Sequence, residues 1–149
     1  LKPLGVDGIT VSSAFRYPDA PVQDHFVGRN RTHKFFRELL IKNRNGRWEF
    51  NHSPFYLEFL EGKRDYDCTP WGNPNFSVLG WQRPCYLLDE GYTQSFSDLM
   101  ENTDWGKYGH RNHPKCVDCT AHCGYEPTAV EDSTHGLKNM ILAAKAVFL

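Results

Sequence analysis

The sequence has no excess of charge of either sign. Its 149 residues carry 17 Lys and Arg against 18 Asp and Glu, which gives a formal net charge of -1. Neither a nucleic-acid surface nor a polybasic membrane patch is expected from this balance. No apolar run approaches the roughly 20 residues of a membrane-spanning helix, and no secretory leader pattern opens the chain. We therefore expect a cytoplasmic protein with no transmembrane segment and no nucleic-acid partner.

Cysteine is absent from the first part of the chain. None of the five cysteines precedes Cys68. An odd number of cysteines argues against a complete disulfide framework. In a reducing compartment, clustered cysteines are more often metal ligands or catalytic groups. Three of the five fall within eight residues near the C-terminus. The sequence therefore predicts a thiolate-bound metal centre in this part of the chain.

The remaining pattern predicts a mixture of helices, short strands and many turns. The β-branched run over residues 6–12 indicates a buried strand, followed by a loop in which Ser12, Ser13, Arg16 and Tyr17 are candidates for substrate contact. Amphipathic spacing and capping residues predict helices over residues 31–42, 53–60, 95–102 and 137–148, and a helix or turn from Gly124. Short strands are predicted at residues 77–79 and 85–88. A change of composition places a boundary near residue 47.

The predicted metal site is the segment PKCVDCTAHCGYE, in which Cys116, Cys119 and Cys123 are spaced C-x2-C-x3-C. Zinc takes four ligands in a tetrahedron, and a cubane iron–sulfur cluster takes one thiolate for each iron. Three thiolates in a tight turn therefore need a fourth ligand from elsewhere. The candidates are Cys85, Cys68 as its alternative, and the nitrogen ligands His113 and His122.

Three interpretations of these cysteines stay open. A 4Fe-4S cluster is favoured, a structural zinc is the alternative, and reduced or disulfide-linked structural cysteines are the third. The spacing is the reverse of the C-x3-C-x2-C loop that binds S-adenosylmethionine through an open iron. The segment also lies late in the chain, so we do not assign it that role.

Aromatic residues are frequent in the segments CTPWGN and GWQRPCYL. Trp71, Phe76 and Trp81, together with Tyr17, are candidates for the wall of an apolar substrate pocket. The simpler interpretation is that these rings form the core of an irregular domain. Asp65 and Asp67 are interpreted as a solvated loop rather than as an acid/base pair.

Five segments carry a family resemblance: GVDGITVS, KRDYDCTPWGNP, GWQRPCYLLDEGY, TDWGKYG and KCVDCTAHCGYE. In this order they resemble the C-terminal region of the radical S-adenosylmethionine enzymes of hopanoid biosynthesis, the adenosylhopene synthases. The resemblance covers nearly the whole chain, from about residue 5 to 135.

The resemblance implies an activity. Enzymes of this family cleave S-adenosylmethionine to a 5′-deoxyadenosyl radical, which adds to the triterpene diploptene and yields adenosylhopane. It further implies a transferase with S-adenosylmethionine and a second 4Fe-4S cluster in an N-terminal half, and an electron donor such as flavodoxin or ferredoxin. The lipid substrate implies a place at the membrane surface.

The resemblance also implies an α/β fold in two parts. Residues 1–46 are expected to form the last strand and helix of a partial (β/α) barrel. Residues 47–149 are expected to form a small irregular α+β cysteine-rich domain with an auxiliary cluster. The chain begins at Leu1 without an initiator Met, so we expect it to be the C-terminal piece of a longer protein that is inactive alone. The alternative is a zinc-stabilised, non-catalytic binding or scaffolding module.

Overall fold

The computed structural model describes residues 2–16, 20–43 and 48–148. Within them the chain forms a mixed α/β arrangement of five α-helices and one three-stranded antiparallel sheet. None of the described helices is long and apolar enough to cross a membrane. In chain order the elements are α1 (Arg29–Lys42), α2 (Pro54–Leu60), β1 (Phe76–Ser77), β2 (Gly80–Cys85), β3 (Leu88–Thr93), α3 (Phe96–Asn102), α4 (His122–Thr134) and α5 (Gly136–Phe148).

The main hydrophobic core is built around the short helix α2. Pro54 occupies the first helical position, where a missing N–H costs nothing. The apolar face of α2 is buried, and Phe59 is fully enclosed. Its ring stacks on Tyr125 of α4, with 4.5 Å between the ring centroids. Phe36 of α1 enters the same core, so residues on both sides of the predicted boundary pack together.

The sheet is a meander in the order β1-β2-β3. Trp81 pairs with Thr93 and Cys85 with Leu88 across β2 and β3. Gly80 has φ 116°, and a Cβ there would overlap the carbonyl oxygen of Thr93. Since β1 pairs only with the start of β2, Pro84 has β3 alone beside it, where proline is tolerated. The predicted strands at residues 77–79 and 85–88 are therefore wrong in extent, because Gly80 and Pro84 lie within a strand rather than ending one.

The strand predicted over residues 6–12 is also wrong. The described chain makes a single parallel bridge there, between Ile9 and Phe50. The N–H of Ile9 donates to the carbonyl of Glu49 at 2.8 Å, and the N–H of Asn51 donates to the carbonyl of Ile9 at 3.0 Å. Val6 is 37% exposed. A β-branched run needs a neighbouring strand to extend a ladder, and the contacts around Phe50 extend for only one bridge.

The helix predictions are confirmed at α1, α2, α3 and α5. Ser95 caps α3 as expected, because its hydroxyl accepts a hydrogen bond from the N–H of Asp98 at 3.1 Å. The start predicted near Gly124 corresponds to α4. Residues 44–47, which include the predicted boundary, lie outside the described residues.

A buried polar link joins three parts of the fold through Glu126 of α4. One carboxylate oxygen accepts the N–H of Ser53 at 2.8 Å, and the other lies 2.9 Å from Nδ1 of His52. Nε2 of His52 in turn lies 2.8 Å from the carbonyl oxygen of Val11. Burial alone would raise the pKa of Glu126, but the hydrogen bonds from His52 and Ser53 outweigh it and lower the pKa below its ordinary value.

Glu126→Gln is expected to destabilise the fold in a pH-dependent way. Because the pKa of Glu126 is lowered on folding, its stabilisation is present above about pH 4.5 and is lost as the pH falls through the folded value. Removing the charge should lower the free energy of unfolding at pH 7 by about 1–3 kcal/mol. The free energies of unfolding of wild type and variant, measured with urea, should converge in acid. Glu131→Gln, on the exposed side of α4, is the matched control, and equal unfolding curves for both variants at pH 7 would contradict the link.

Candidate metal centre

The cysteine segment folds as a tight turn that leads into α4. Cys116 ends a 3-10 turn at Pro114–Cys116, and Cys123 lies in the first turn of α4. The N–H of Cys119 donates to the carbonyl of Cys116 at 2.9 Å. Cys116 and Cys123 are buried, whereas Cys119 is half-buried. The turn therefore presents three thiols from one short stretch of chain.

All five cysteines line one cavity of about 470 Å³. Cys85 reaches it from the end of β2, and Cys68 from the irregular segment that precedes β1. Every one of the five is a free thiol, so the disulfide interpretation finds no pairing. The rest of the wall is mainly apolar and aromatic and includes Phe15, Pro84, Leu87, Leu88, Tyr108 and Tyr125.

Burial raises the pKa of each thiol at the cavity. The pKa reaches about 12 at Cys119 and at Cys123, and it is also raised at Cys68, Cys85 and Cys116. At Cys123 the charge of Cys85 adds to burial. Such thiols stay protonated at neutral pH until a cation binds, and they release protons when it does.

Hydrogen-bond donors oppose this effect at four of the sulfurs. The N–H groups of Leu87, in the turn between β2 and β3, and of Leu88, at the start of β3, stabilise the thiolate of Cys85. The hydroxyl of Tyr86 donates to the sulfur of Cys123. At Cys116 the donor is the N–H of Gly109, at Cys119 that of Ala121, and at Cys123 those of Cys123 itself and Gly124.

Cys68 has a different environment from the other four cysteines. The largest effects on Cys68 are burial and the charges of the other four thiolates. Its sulfur packs on Gly124, where a Cβ would overlap it. The Cβ of Cys68 also lies 3.4 Å from the position of a Cβ on Gly109. Cys68 is thus fitted between two glycines as a small apolar side chain.

A family model described as a domain of unknown function (DUF3463) matches residues 9–143. The chain belongs to this family. No curated protein and no solved structure matches it. The match to the DUF3463 family includes every cysteine and all the described α-helices except the end of α5.

Elsewhere in this DUF3463 domain, the two histidine candidates lie apart from the cavity wall. Nδ1 of His113 accepts the N–H of Lys115 at 3.3 Å, and its Nε2 lies 3.5 Å from a carboxylate oxygen of Glu90. His122 instead lines a shallow groove beside Pro127. Among the described residues, no group of three or more His, Cys, Asp or Glu side chains is placed so that it could hold a metal ion.

The described aromatic candidates do not line the cavity that the cysteines share. Trp71 packs edge-on against Trp105, with ring centroids 5.4 Å apart. Trp81 lies between Phe76 and Phe96, 5.0 Å from each ring centroid. Tyr17 is outside the described residues. In the loop before it, Arg16 lines the cavity, and the Ser13 hydroxyl is 2.6 Å from that of Thr120.

Two residues near the cysteines carry no signal in the sequence. Arg29, at the start of α1, donates from its guanidinium to the carbonyl of Cys119 at 2.9 Å, and its N–H donates to the carboxylate of Asp118 at 2.9 Å. Tyr86 reaches Cys123 as described above. Neither contact follows from residue spacing, because each depends on how α1 or the hairpin packs against the turn. The aspartates predicted to be solvated, Asp65 and Asp67, both pair with Arg111.

Proposed function

We propose that this domain holds a 4Fe-4S cluster on Cys85, Cys116, Cys119 and Cys123. The observation that carries the proposal is the cavity shared by the cysteines. Zinc–sulfur bonds of about 2.3 Å would draw four thiolates to within about 3.8 Å of one another and leave no space between them. A cavity of about 470 Å³ is instead in the size range of bound ligands. In a cluster each thiolate binds a different iron, which suits ligands spread around a cavity.

The donor groups favour Cys85 over Cys68 as the fourth ligand. Backbone N–H groups directed at ligand sulfurs stabilise thiolates and help to set the reduction potential of a cluster. Cys85 receives two such groups from its hairpin, as the three turn cysteines receive theirs. The apolar wall from Phe15, Leu87 and Leu88 would keep water from the site. When bound, a cluster of this kind supplies single-electron transfer.

For the whole protein, we propose a radical S-adenosylmethionine enzyme that adds a 5′-deoxyadenosyl radical to diploptene. The five segments that resemble adenosylhopene synthases support this reaction. The chain would then contribute the C-terminal domain, with residues up to 46 as the end of a partial barrel. S-adenosylmethionine and a second cluster would bind in the N-terminal half, and flavodoxin or ferredoxin would donate electrons.

Anaerobic reconstitution of the purified protein with iron and sulfide tests the cluster. We expect about four iron and four sulfide per domain beyond those of any C-x3-C-x2-C loop, with absorbance at roughly 400 nm. The alternative is a zinc-stabilised, non-catalytic module, which the three turn cysteines plus one also fit. Stoichiometric zinc without sulfide, together with unfolding by a chelator, would decide for that alternative.

A further inference from the structure

The C-terminal helix α5 exposes an apolar stripe to solvent. Leu137, Met140, Ile141 and Ala144 follow the i, i+3, i+4, i+7 spacing that lies on one face of a helix. The side chains of Leu137, Met140 and Ile141 are 74%, 52% and 47% exposed, and Ala144 is exposed as well. In a soluble helix this spacing normally marks the face that packs on the core.

The side of α5 that packs on the domain carries Asn139 and Ala143, whereas Leu142 beside them is 42% exposed. The amide of Asn139 donates to the carbonyl and the carboxylate of Asp132, at 3.0 and 2.9 Å. Ala143, one turn further along, is half-buried on the same side. The large aliphatic side chains of α5 therefore point away from the core and leave an apolar surface open for another partner.

Two lysines border the stripe. Lys138 and Lys145 are seven residues apart, which places them two turns apart on one flank, and both are exposed. No acidic residue occurs between Gly136 and Phe148. Long lysine side chains can lie along an apolar surface while the ammonium group stays at its polar edge. An aliphatic stripe bordered by cations is typical of helices that lie in a membrane interface.

We infer that α5 docks this domain on a lipid surface that carries anionic headgroups. The aliphatic stripe enters the apolar boundary, and Lys138 and Lys145 face the headgroups. The near-neutral total charge does not oppose this, because the attraction arises from two local cations and the apolar contact. The inference is independent of the proposed cluster.

Cosedimentation of the purified full-length protein with vesicles tests the docking. We expect binding to mixed phosphatidylcholine–phosphatidylglycerol vesicles and weaker binding to pure phosphatidylcholine. Lys138→Gln with Lys145→Gln should weaken binding to the mixed vesicles about thirtyfold, since each lysine near an anionic surface contributes roughly a factor of five. Met140→Asn with Ile141→Asn should abolish binding to both. The matched control is Lys34→Gln with Lys42→Gln, which removes the same charge from exposed positions on α1.

Three outcomes would overturn the inference. Wild-type protein that binds neither vesicle removes the lipid partner, and an equal loss in the α1 control removes the role of α5. Self-association that Met140→Asn with Ile141→Asn disrupts, without vesicle binding, would assign the stripe to a second copy of the chain. Far-UV circular dichroism establishes that each variant folds. Metal content measured in parallel separates these outcomes from a failure of the cluster proposal.

Discussion

Cys119→Ser is expected to abolish cluster binding and to lower the free energy of unfolding by more than about 4 kcal/mol, the range typical of losing a bound metal group. Cys119 packs against both hydrophobic clusters of the domain, one around Phe59 and one around Ala121. Losing the ligand would therefore loosen two cores at once. Iron and sulfide content after anaerobic reconstitution, and urea unfolding of the same samples, measure the two effects.

The matched control is Cys68→Ser, the same substitution in the same cavity. Because Cys68 is packed between two glycines and the largest effects on its pKa include no hydrogen-bond donor, this variant should keep its iron and sulfide. Cys85→Ser should lose them as Cys119→Ser does. If Cys68→Ser lost the iron while Cys85→Ser retained it, Cys68 rather than Cys85 would be the fourth ligand. Full iron content in Cys119→Ser would refute the ligand set.

Phe59→Ala is expected to cost about 3–5 kcal/mol of folding free energy, as truncation of a fully buried aromatic ring does. The ring stacks on Tyr125 and lies against Tyr66, and the guanidinium carbon of Arg29 sits 4.9 Å from its centroid. Truncation would leave a cavity directly beneath the helix that carries Cys123. Urea denaturation followed by circular dichroism gives the free energy.

Phe35→Ala provides the comparison, because Phe35 is on α1 and is 58% exposed. Truncating the ring at this exposed position should change the free energy of unfolding by about 1 kcal/mol at most. Comparable losses for the two variants would mean that the core around α2 does not hold the domain together.

Local sequence signals were sufficient for α1, α2, α3 and α5, whereas at α4 they predicted only a helix or turn. In α1 the apolar positions recur with the helical period, and at α3 a serine caps the first turn, so local signals agree with the final structure. The sheet was harder to predict. Gly80 and Pro84 ordinarily interrupt strands, yet Gly80 is required by its close approach to Thr93 and Pro84 has a neighbour on one side only. Those conditions exist only after the meander has formed.

The candidate metal site was likewise predictable only in part. The spacing of Cys116, Cys119 and Cys123 identifies a candidate site without any structure. That Cys85 and Cys68 line the same cavity depends on long-range packing, and sequence reasoning could only propose them as alternatives. The exposure of the aliphatic stripe on α5 was not predictable either, because periodicity reveals an apolar stripe but not the side on which the domain lies.

The position of Cys85 on the hairpin between β2 and β3 bears on the order in which a metal centre here could assemble. Three thiols are close together along the chain and can meet before the domain folds, whereas Cys85 comes from about 30 residues upstream and needs a loop to close. Its sulfur faces the cavity only in the observed register, since side chains alternate between the faces of a strand. A partly loaded turn would thus precede docking of the hairpin on it, and that docking would be the step that completes the site.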